Sequence, residues 1–183
     1  AAAAHAVCGP FGDGDGVAVG ETQSELLLRR TREHNTATRE RPWELQPWLA
    51  FAEWQLEAAA LAGRRAPGAA AYEKQISVLE KALEHHPGSE QLMLALLRSA
   101  AHLLDPETLC ARWQQVLRKQ RGSPALWCEY IRVRLAMFPL FTVQRMQVVY
   151  GDALHELALE AARARPDAGS PAGALRLASL EDA

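Results

Sequence analysis

The sequence predicts an all-α fold, an α-solenoid of about three helical hairpins preceded by a leading helix. Three observations predict this fold. Long stretches consist of Ala, Leu, Glu, Gln and Arg, whose side chains lose little rotamer freedom in a helix. Apolar residues recur at i, i+3 or i+4, and i+7, which is the spacing of an amphipathic helix. The sequence also matches itself at an offset of 34 residues, the length of a two-helix unit.

The repeat is visible when the sequence is compared with itself. An offset of 34 places Leu79 and Leu83 on Trp113 and Leu117. An offset of 79 places Trp48 and Phe51 on Trp127 and Tyr130, and the excess over two periods predicts an inserted loop at Leu61–Ala71. We expect the repeat signature to be formed by Trp48, Phe51, Leu79, Leu83, Trp113, Leu117, Trp127, Tyr130 and Tyr150.

Proline and short polar residues predict where each helix begins. Residues 1–20 are rich in Ala and Gly and are expected to be disordered, and a polar helix follows from Glu21 to Arg41. Ser89, Asp105 and Ser123 are expected helix caps, and prolines 106 and 124 follow the last two caps. Further helices are predicted near 46–60, 72–86, 90–104, 106–119, 124–137 and 141–158. The repeat domain then covers 21–160, and 161–183 form a flexible or partly helical tail.

The last predicted helix carries an apolar stripe. Val143, Met146, Tyr150 and Leu154 follow helical spacing, and the sequence predicts that this stripe faces the interior. A stripe of this width is buried only when successive hairpins stack.

Composition limits the classes of function. The 20 basic and 22 acidic residues give a net charge of -2, which favours neither nucleic acid nor a membrane surface. Cys8, Cys110 and Cys128 form no CxxC pair, which argues against a disulfide scaffold or zinc site and suits a reducing compartment. No apolar run approaches the roughly 18 residues that span a bilayer. With no signal peptide and no initiating Met, the sequence predicts a soluble, intracellular fragment with no membrane partner.

No catalytic, metal-binding or cofactor-binding constellation is found. His85 and His86 are adjacent and point about 100° apart on a helix, so they are a poor chelating pair. Cys128 has no motif linking it to His102 or His155. Cys110 occupies a repeat position that predicts a small core residue. We therefore predict that the chain is not an enzyme.

Two features are candidates for partner contact. Trp43 and Trp54 lie off the best apolar stripe, whereas the other aromatic residues are either core residues or base-stacking platforms. A basic cluster surrounds the single acid Glu129 and would hold RNA phosphates or an acidic peptide, unless it is simply a solvated helix rim. Its members are Arg112, Arg118, Lys119, Arg121, Arg132 and Arg134.

The aromatic spacing resembles a known repeat. Trp48-x-x-Phe51 and Trp127-x-x-Tyr130 in first helices are similar to the HAT (half-a-TPR) variant of the tetratricopeptide repeat, with Glu53 or Glu129 as its acidic residue. This resemblance implies a role in RNA processing, where HAT arrays mainly occur.

A longer resemblance covers residues 24–158. Arg30–Asn35, Trp48–Phe51, Ile76–Leu83, Ala125–Tyr130 and Val149–Gly151 resemble the nuclear RNAi-defective-two family in sequence and order. The resemblance implies a nuclear protein without enzymatic activity that acts in small-RNA silencing, or that restrains the exosome-associated nuclear RNA helicase and assists splicing. Residues 1–23 do not resemble the family's polar helicase-binding region, so we expect that contact to be absent here.

Two functional hypotheses follow. The first is a helical scaffold that binds proteins of these pathways, such as the helicase or splicing and silencing factors. The alternative is direct RNA binding through the basic cluster at 112–134, for which steep salt dependence would be expected.

Overall fold

The computed structural model describes residues 21–63, 66–137 and 142–164, and it is an all-α helical solenoid. Consecutive helices pack against each other as hairpins, and α4 also contacts α6 in the next hairpin. The predicted lead-in at 1–20 and most of the predicted tail lie outside the described residues. The helices are α1 (Gln23–Glu40), α2 (Leu45–Leu61), α3 (Ala69–His85), α4 (Glu90–Ala100), α5 (Pro106–Lys119), α6 (Pro124–Ala136) and α7 (Val143–Ala164).

The predicted helix caps are confirmed. The Ser89 and Ser123 hydroxyls accept hydrogen bonds from the backbone N–H of Leu92 (3.4 Å) and Leu126 (3.2 Å), at equivalent positions of two repeats. One Asp105 carboxylate oxygen accepts from two backbone N–H groups of the first turn of α5, each at 3.0 Å. These contacts satisfy N–H groups that a helix start otherwise leaves without partners.

The junctions between hairpins have the same geometry. The C-cap residues that follow α1, α3 and α5 are Arg41, His86 and Gln120, with φ/ψ of −130/60, −129/62 and −123/55. Each of these residues donates its N–H to the carbonyl four residues earlier and accepts one from the residue three positions later. α3 and α5 are the second helices of their hairpins. The leading helix α1 therefore ends with the same C-cap geometry as a second helix.

The first helices share a second repeated contact. Trp48 Nε1 donates to the carbonyl of Pro42 at 3.0 Å, and Trp127 Nε1 donates to the carbonyl of Arg121 at 2.8 Å. Both pairs are six residues apart, and they coincide at the offset of 79 that the sequence predicted. The repeat is therefore present in hydrogen bonding as well as in sequence.

The core consists of two clusters. One is centred on α2, α3 and α4 around Trp48, Phe51 and Leu79, and the other on α4 to α7 around Trp113 and Trp127. Leu83 packs against both clusters and joins them. Except for Tyr150, every residue of the predicted signature is buried or half-buried.

Three predicted boundaries need correction. The loop at Leu61–Ala71 is shorter than expected because α3 begins at Ala69, where alanines extend the helix beyond Gly68. α4 ends at Ala100, and the chain then turns, with the N–H of Leu104 donating to the carbonyl of Ala100 at 2.9 Å. α7 continues through Ala164, beyond the helix end predicted at residue 158.

The predicted interior stripe of α7 is wrong at three of its four positions. Tyr150, Leu154 and Val143 are 44%, 69% and 68% exposed, whereas Met146, the fourth, is buried together with Val149 and Ala153. The helix is therefore rotated relative to the prediction, because only the face that packs against α6 is covered. In the described part of the chain, no helix has the length and apolarity needed to cross a membrane.

Candidate interaction surface

The helices divide the predicted basic cluster between different faces. Arg112 on α5 is directed toward α3, where Nη2 lies 3.1 Å from a carboxylate oxygen of Glu80. Arg132 on α6 forms an ion pair with Glu129. Arg118 and Lys119 are exposed at the end of α5. The six residues therefore do not form one continuous basic surface.

Three of the six residues, Arg118, Arg121 and Arg134, line a groove between α5, α6 and α7. We call it the α5–α7 groove. Its volume is about 520 Å³, which is within the range of small-molecule sites. Its floor is apolar and buried, and its other lining residues include polar groups of α7. The floor is formed by Leu117, Trp127, Tyr130 and Val149.

Hydrogen bonds hold the groove in shape. Arg121 Nε donates to the Arg118 carbonyl at 3.2 Å, while the Arg121 carbonyl accepts from Trp127 in the floor. Arg121 Nη1 lies 3.4 Å from Glu156 on α7, so this one residue connects the three helices.

Arg134 is a buried cation next to Tyr130 of this floor. The residue is 8% exposed, and its Nη1 donates to the Tyr130 hydroxyl at 2.8 Å. Its guanidinium carbon is also 5.4 Å from the Tyr130 ring centroid, within the range of a cation–π contact. Burial raises the pKa of the nearby Cys110 thiol, and the positive charge of Arg134 opposes that rise.

Glu129 connects the first helices of two hairpins. Its carboxylate accepts from Arg98 Nε on α4 at 2.9 Å and pairs with Arg132 on its own helix. The hydrogen bond from Arg98, with the attraction of both guanidinium groups, lowers the pKa of Glu129 below its ordinary value. The acidic residue expected beside the aromatic pair therefore fastens neighbouring repeats together.

The two candidate tryptophans have opposite environments. Trp43 is 71% exposed in the connection between α1 and α2. The expectation that Trp54 faces a partner is wrong, because Trp54 is 4% exposed and its Nε1 donates to Thr31 Oγ1 at 3.0 Å. Trp54 lies off the stripe that faces α3 because α2 is covered from its other side by α1. His34 of α1 stacks on Trp54 with ring centroids 5.7 Å apart.

The histidines weighed as metal ligands or as partners of Cys128 include three that take part in packing contacts. His85 stacks on Trp48 with ring centroids 5.5 Å apart, and His86 Nε2 lies 3.0 Å from the Pro42 carbonyl, to which it donates. His102 stacks on Tyr72 with centroids 4.1 Å apart. Over residues 21–63, 66–137 and 142–164, no group of three His, Cys, Asp or Glu side chains is placed to hold a metal ion.

The sequence analysis missed the contribution of α7 to the α5–α7 groove. Arg145, Val148, Asp152 and Glu156 line it, and they are spaced by three or four residues, so they share one face of the helix. That spacing was available as a signal. The apolar stripe beside it follows the same helical spacing, and for that reason the sequence does not distinguish the packed face from the groove face.

Comparison with known proteins places the chain in a family. A family model described as "NRDE-2, necessary for RNA interference" matches residues 29–178. The chain is similar to proteins named "Nuclear exosome regulator NRDE2" from Mus musculus (31% identical over 148 residues, 75% of this chain), Homo sapiens (28% over 148 residues, 75%) and Dictyostelium discoideum (26% over 135 residues, 69%).

The chain spans 13% of the length of the mouse and human relatives and 10% of the Dictyostelium relative. The family match, in contrast, extends from α1 beyond the end of α7, and it includes all helices that line the α5–α7 groove. The chain belongs to the NRDE-2 family.

Proposed function

We propose that this chain is a non-enzymatic helical scaffold that binds proteins in the nuclear regulation of RNA decay. Three relatives carry the name nuclear exosome regulator, and the family description refers to RNA interference. Partners of this scaffold are proteins of the decay, silencing or splicing machinery, with the exosome-associated helicase among the candidates.

The α5–α7 groove is the observation that carries the scaffold role. It combines an apolar floor with arginines at its edge, which is the composition of a surface that recognises a polypeptide. Stacked hairpins of the HAT type would present such a groove in a fixed geometry.

Direct RNA binding is the second candidate, favoured by the exposure of Arg118, Lys119 and Trp43. It is the weaker one, because Arg112 and Arg132 form ion pairs with Glu80 and Glu129. In addition, Trp48, Trp54, Trp113 and Trp127 are buried, so their rings are not available for base stacking.

A capture experiment tests the two candidates. The full chain is immobilised, incubated with nuclear extract with and without RNase, and the bound proteins are identified by mass spectrometry. Decay, silencing or splicing proteins that remain bound after RNase treatment support the scaffold. If all specific proteins are lost after RNase treatment and labelled RNA binds the purified chain with steep salt dependence, RNA binding takes first place.

A further inference from the structure

We infer that residues 171–180 form the first helix of a fourth hairpin and that this helix docks on the exposed apolar side of α7. The segment follows α7 and lies outside the residues that the structure describes. The inference is independent of the proposed scaffold function. It is carried by the burial pattern of the second helices and by a cap sequence that occurs twice in the chain.

α7 repeats the burial pattern of α3 on one side. Three buried positions coincide at an offset of 71 residues, at which Met146, Val149 and Ala153 of α7 correspond to Gln75, Val78 and Ala82 of α3. Each of these side chains is at most 8% exposed. The register of α7 relative to α3 is therefore set by positions that both helices bury.

The helix α4 covers the adjacent side of α3. Leu79 is 0% exposed and shares a core cluster with Leu92 and Leu96 of α4. Tyr72 stacks on His102, just after α4, with ring centroids 4.1 Å apart. The first helix of the following hairpin therefore buries this side of a second helix.

The equivalent side of α7 is exposed. At the same offset, Val143, Tyr150 and Leu154 occupy the positions of Tyr72, Leu79 and Leu83. Their exposed fractions are 68%, 44% and 69%. Apolar residues at the positions that α4 covers in α3 indicate that a following first helix belongs on this side of α7.

The sequence after α7 repeats the start of α6. Residues 122–125 and 169–172 are both Gly-Ser-Pro-Ala. In α6, the Ser123 hydroxyl accepts from the N–H of Leu126 at 3.2 Å, and the proline is the first residue of the helix. Ser170 and Pro171 supply the same cap and the same first residue, so this sequence predicts a helix that begins at Pro171.

The predicted helix carries an apolar residue at the position that packs on the preceding second helix. The residue seven positions after the cap serine is Leu96 in α4 and Tyr130 in α6, and these are 5% and 2% exposed. Tyr130 packs on Trp113 with ring centroids 5.8 Å apart, and Trp113 is the α5 equivalent of Tyr150. Leu177 occupies this position in the segment. We therefore expect Leu177 to cover Tyr150.

The connection to the segment permits this docking. Residues 165–170 span up to about 20 Å when extended, which allows the predicted helix to turn back along α7 as consecutive helices do in the described hairpins. The family match continues to residue 178 and includes most of the segment. A second copy of the chain would cover the same side of α7 and is an alternative outcome of the test.

Hydrogen exchange with mass spectrometry on the full chain tests the docking. Amides of residues 173–180 should exchange about tenfold or more slowly than in an unstructured peptide, because a docked helix exchanges only through local unfolding. Leu177→Glu should remove this protection, since it places a charge against an apolar surface. Ser179→Glu is the control and should retain the protection, because the equivalent side chains of Arg98 and Arg132 are 60% and 71% exposed.

The α7 side of the contact has its own matched pair of variants. Leu154→Glu should also remove the protection of residues 173–180. Leu159→Glu makes the same change on a different face of α7, at a position that is 38% exposed, and should retain the protection. Circular dichroism measures whether each variant is folded. If Leu154→Glu unfolds the chain, the pair at 177 and 179 decides, because both positions lie outside the three described hairpins.

Three outcomes would overturn the inference. The first is exchange of residues 173–180 in the unaltered chain at the rate of an unstructured peptide. The second is an equal loss of protection in Leu177→Glu and Ser179→Glu. The third is a dimer in sedimentation velocity that Leu154→Glu dissociates and Leu177→Glu leaves intact, which would assign this side of α7 to a second copy of the chain.

Discussion

Trp54 contributes to stability through both its volume and its indole N–H. It is 4% exposed and donates to Thr31 on α1 at 3.0 Å, so it fastens α1 to α2. We expect Trp54→Phe to lower the free energy of unfolding by about 1–2 kcal/mol, because a hydrogen bond and part of the core packing are lost. Urea denaturation followed by circular dichroism measures this change. Trp43→Phe is the control, and its effect should stay within about 0.5 kcal/mol since Trp43 is 71% exposed.

Glu129 gives the fold a dependence on pH. Its pKa in the folded protein is lowered from about 4.5, first by the hydrogen bond from Arg98. Its contribution is therefore complete above the unfolded-state pKa and is lost as the pH falls through the lower, folded-state pKa. The magnitude is about 0.5–1 kcal/mol at most, because the side chains of Arg98 and Arg132 are 60% and 71% exposed.

Urea denaturation between neutral and acidic pH tests this expectation. Glu129→Gln should lower the free energy of unfolding at pH 7. The variant should also lose less stability than the unaltered protein when the pH is lowered. Glu80→Gln is the comparison, because Glu80 pairs with Arg112 between two half-exposed side chains. Equal pH profiles for Glu129→Gln and the unaltered protein would contradict a role for this carboxylate in joining α4 to α6.

At the scale of elements, the docking of α7 depends on a close approach at one glycine. A Cβ added to Gly122 would lie 2.8 Å from Cγ and 3.2 Å from Cβ of Glu160 on α7, whereas one added to Gly88 meets nothing within 4 Å. These glycines are equivalent positions of two repeats. We expect Gly122→Ala to be less stable than Gly88→Ala by about 1 kcal/mol or more, because the side chain of Glu160 must move.

Chemical denaturation compares the two glycine variants, and amide hydrogen exchange locates the effect. Amides in the second half of α7 should exchange faster in Gly122→Ala than in Gly88→Ala. Equal stability of the two variants, with unchanged exchange in α7, would show that this contact does not hold the helix.

The helices show which features could be predicted from the sequence and which could not. The caps at Ser89, Asp105 and Ser123 are local chemistry, and they could be predicted because the residue and its N–H partners lie within one turn. The rotation of α7 could not be predicted in this way, because Tyr150 and Val149 each belong to an apolar stripe with helical spacing. Only the position of α6 decides which of them is buried.

At the scale of the whole molecule, a run of basic residues in sequence becomes several surfaces. Arg112, Arg118 and Arg132 lie close along the chain, but the first pairs with α3, the second lines the α5–α7 groove and the third pairs with Glu129. The repeat period correctly predicts the order of hairpins. The α5–α7 groove is formed by three helices, and the third of them, α7, begins only after residues 138–141. No local sequence pattern encodes the packing of these three helices.

The two core clusters predict that stability is distributed along the solenoid. Leu92 and Leu126 are equivalent positions, both 0% exposed, and they belong to the first and the second cluster, respectively. Truncation of either to Ala should cost about 2–5 kcal/mol. Because a repeat contacts mainly its neighbours, we expect Leu92→Ala to accelerate amide exchange most in α2–α4 and Leu126→Ala most in α5–α7. Hydrogen exchange with mass spectrometry resolves these regions. If both variants accelerate exchange uniformly along the described chain, Leu83 couples the clusters into a single cooperative unit, and the α5–α7 groove cannot open independently of α1–α3.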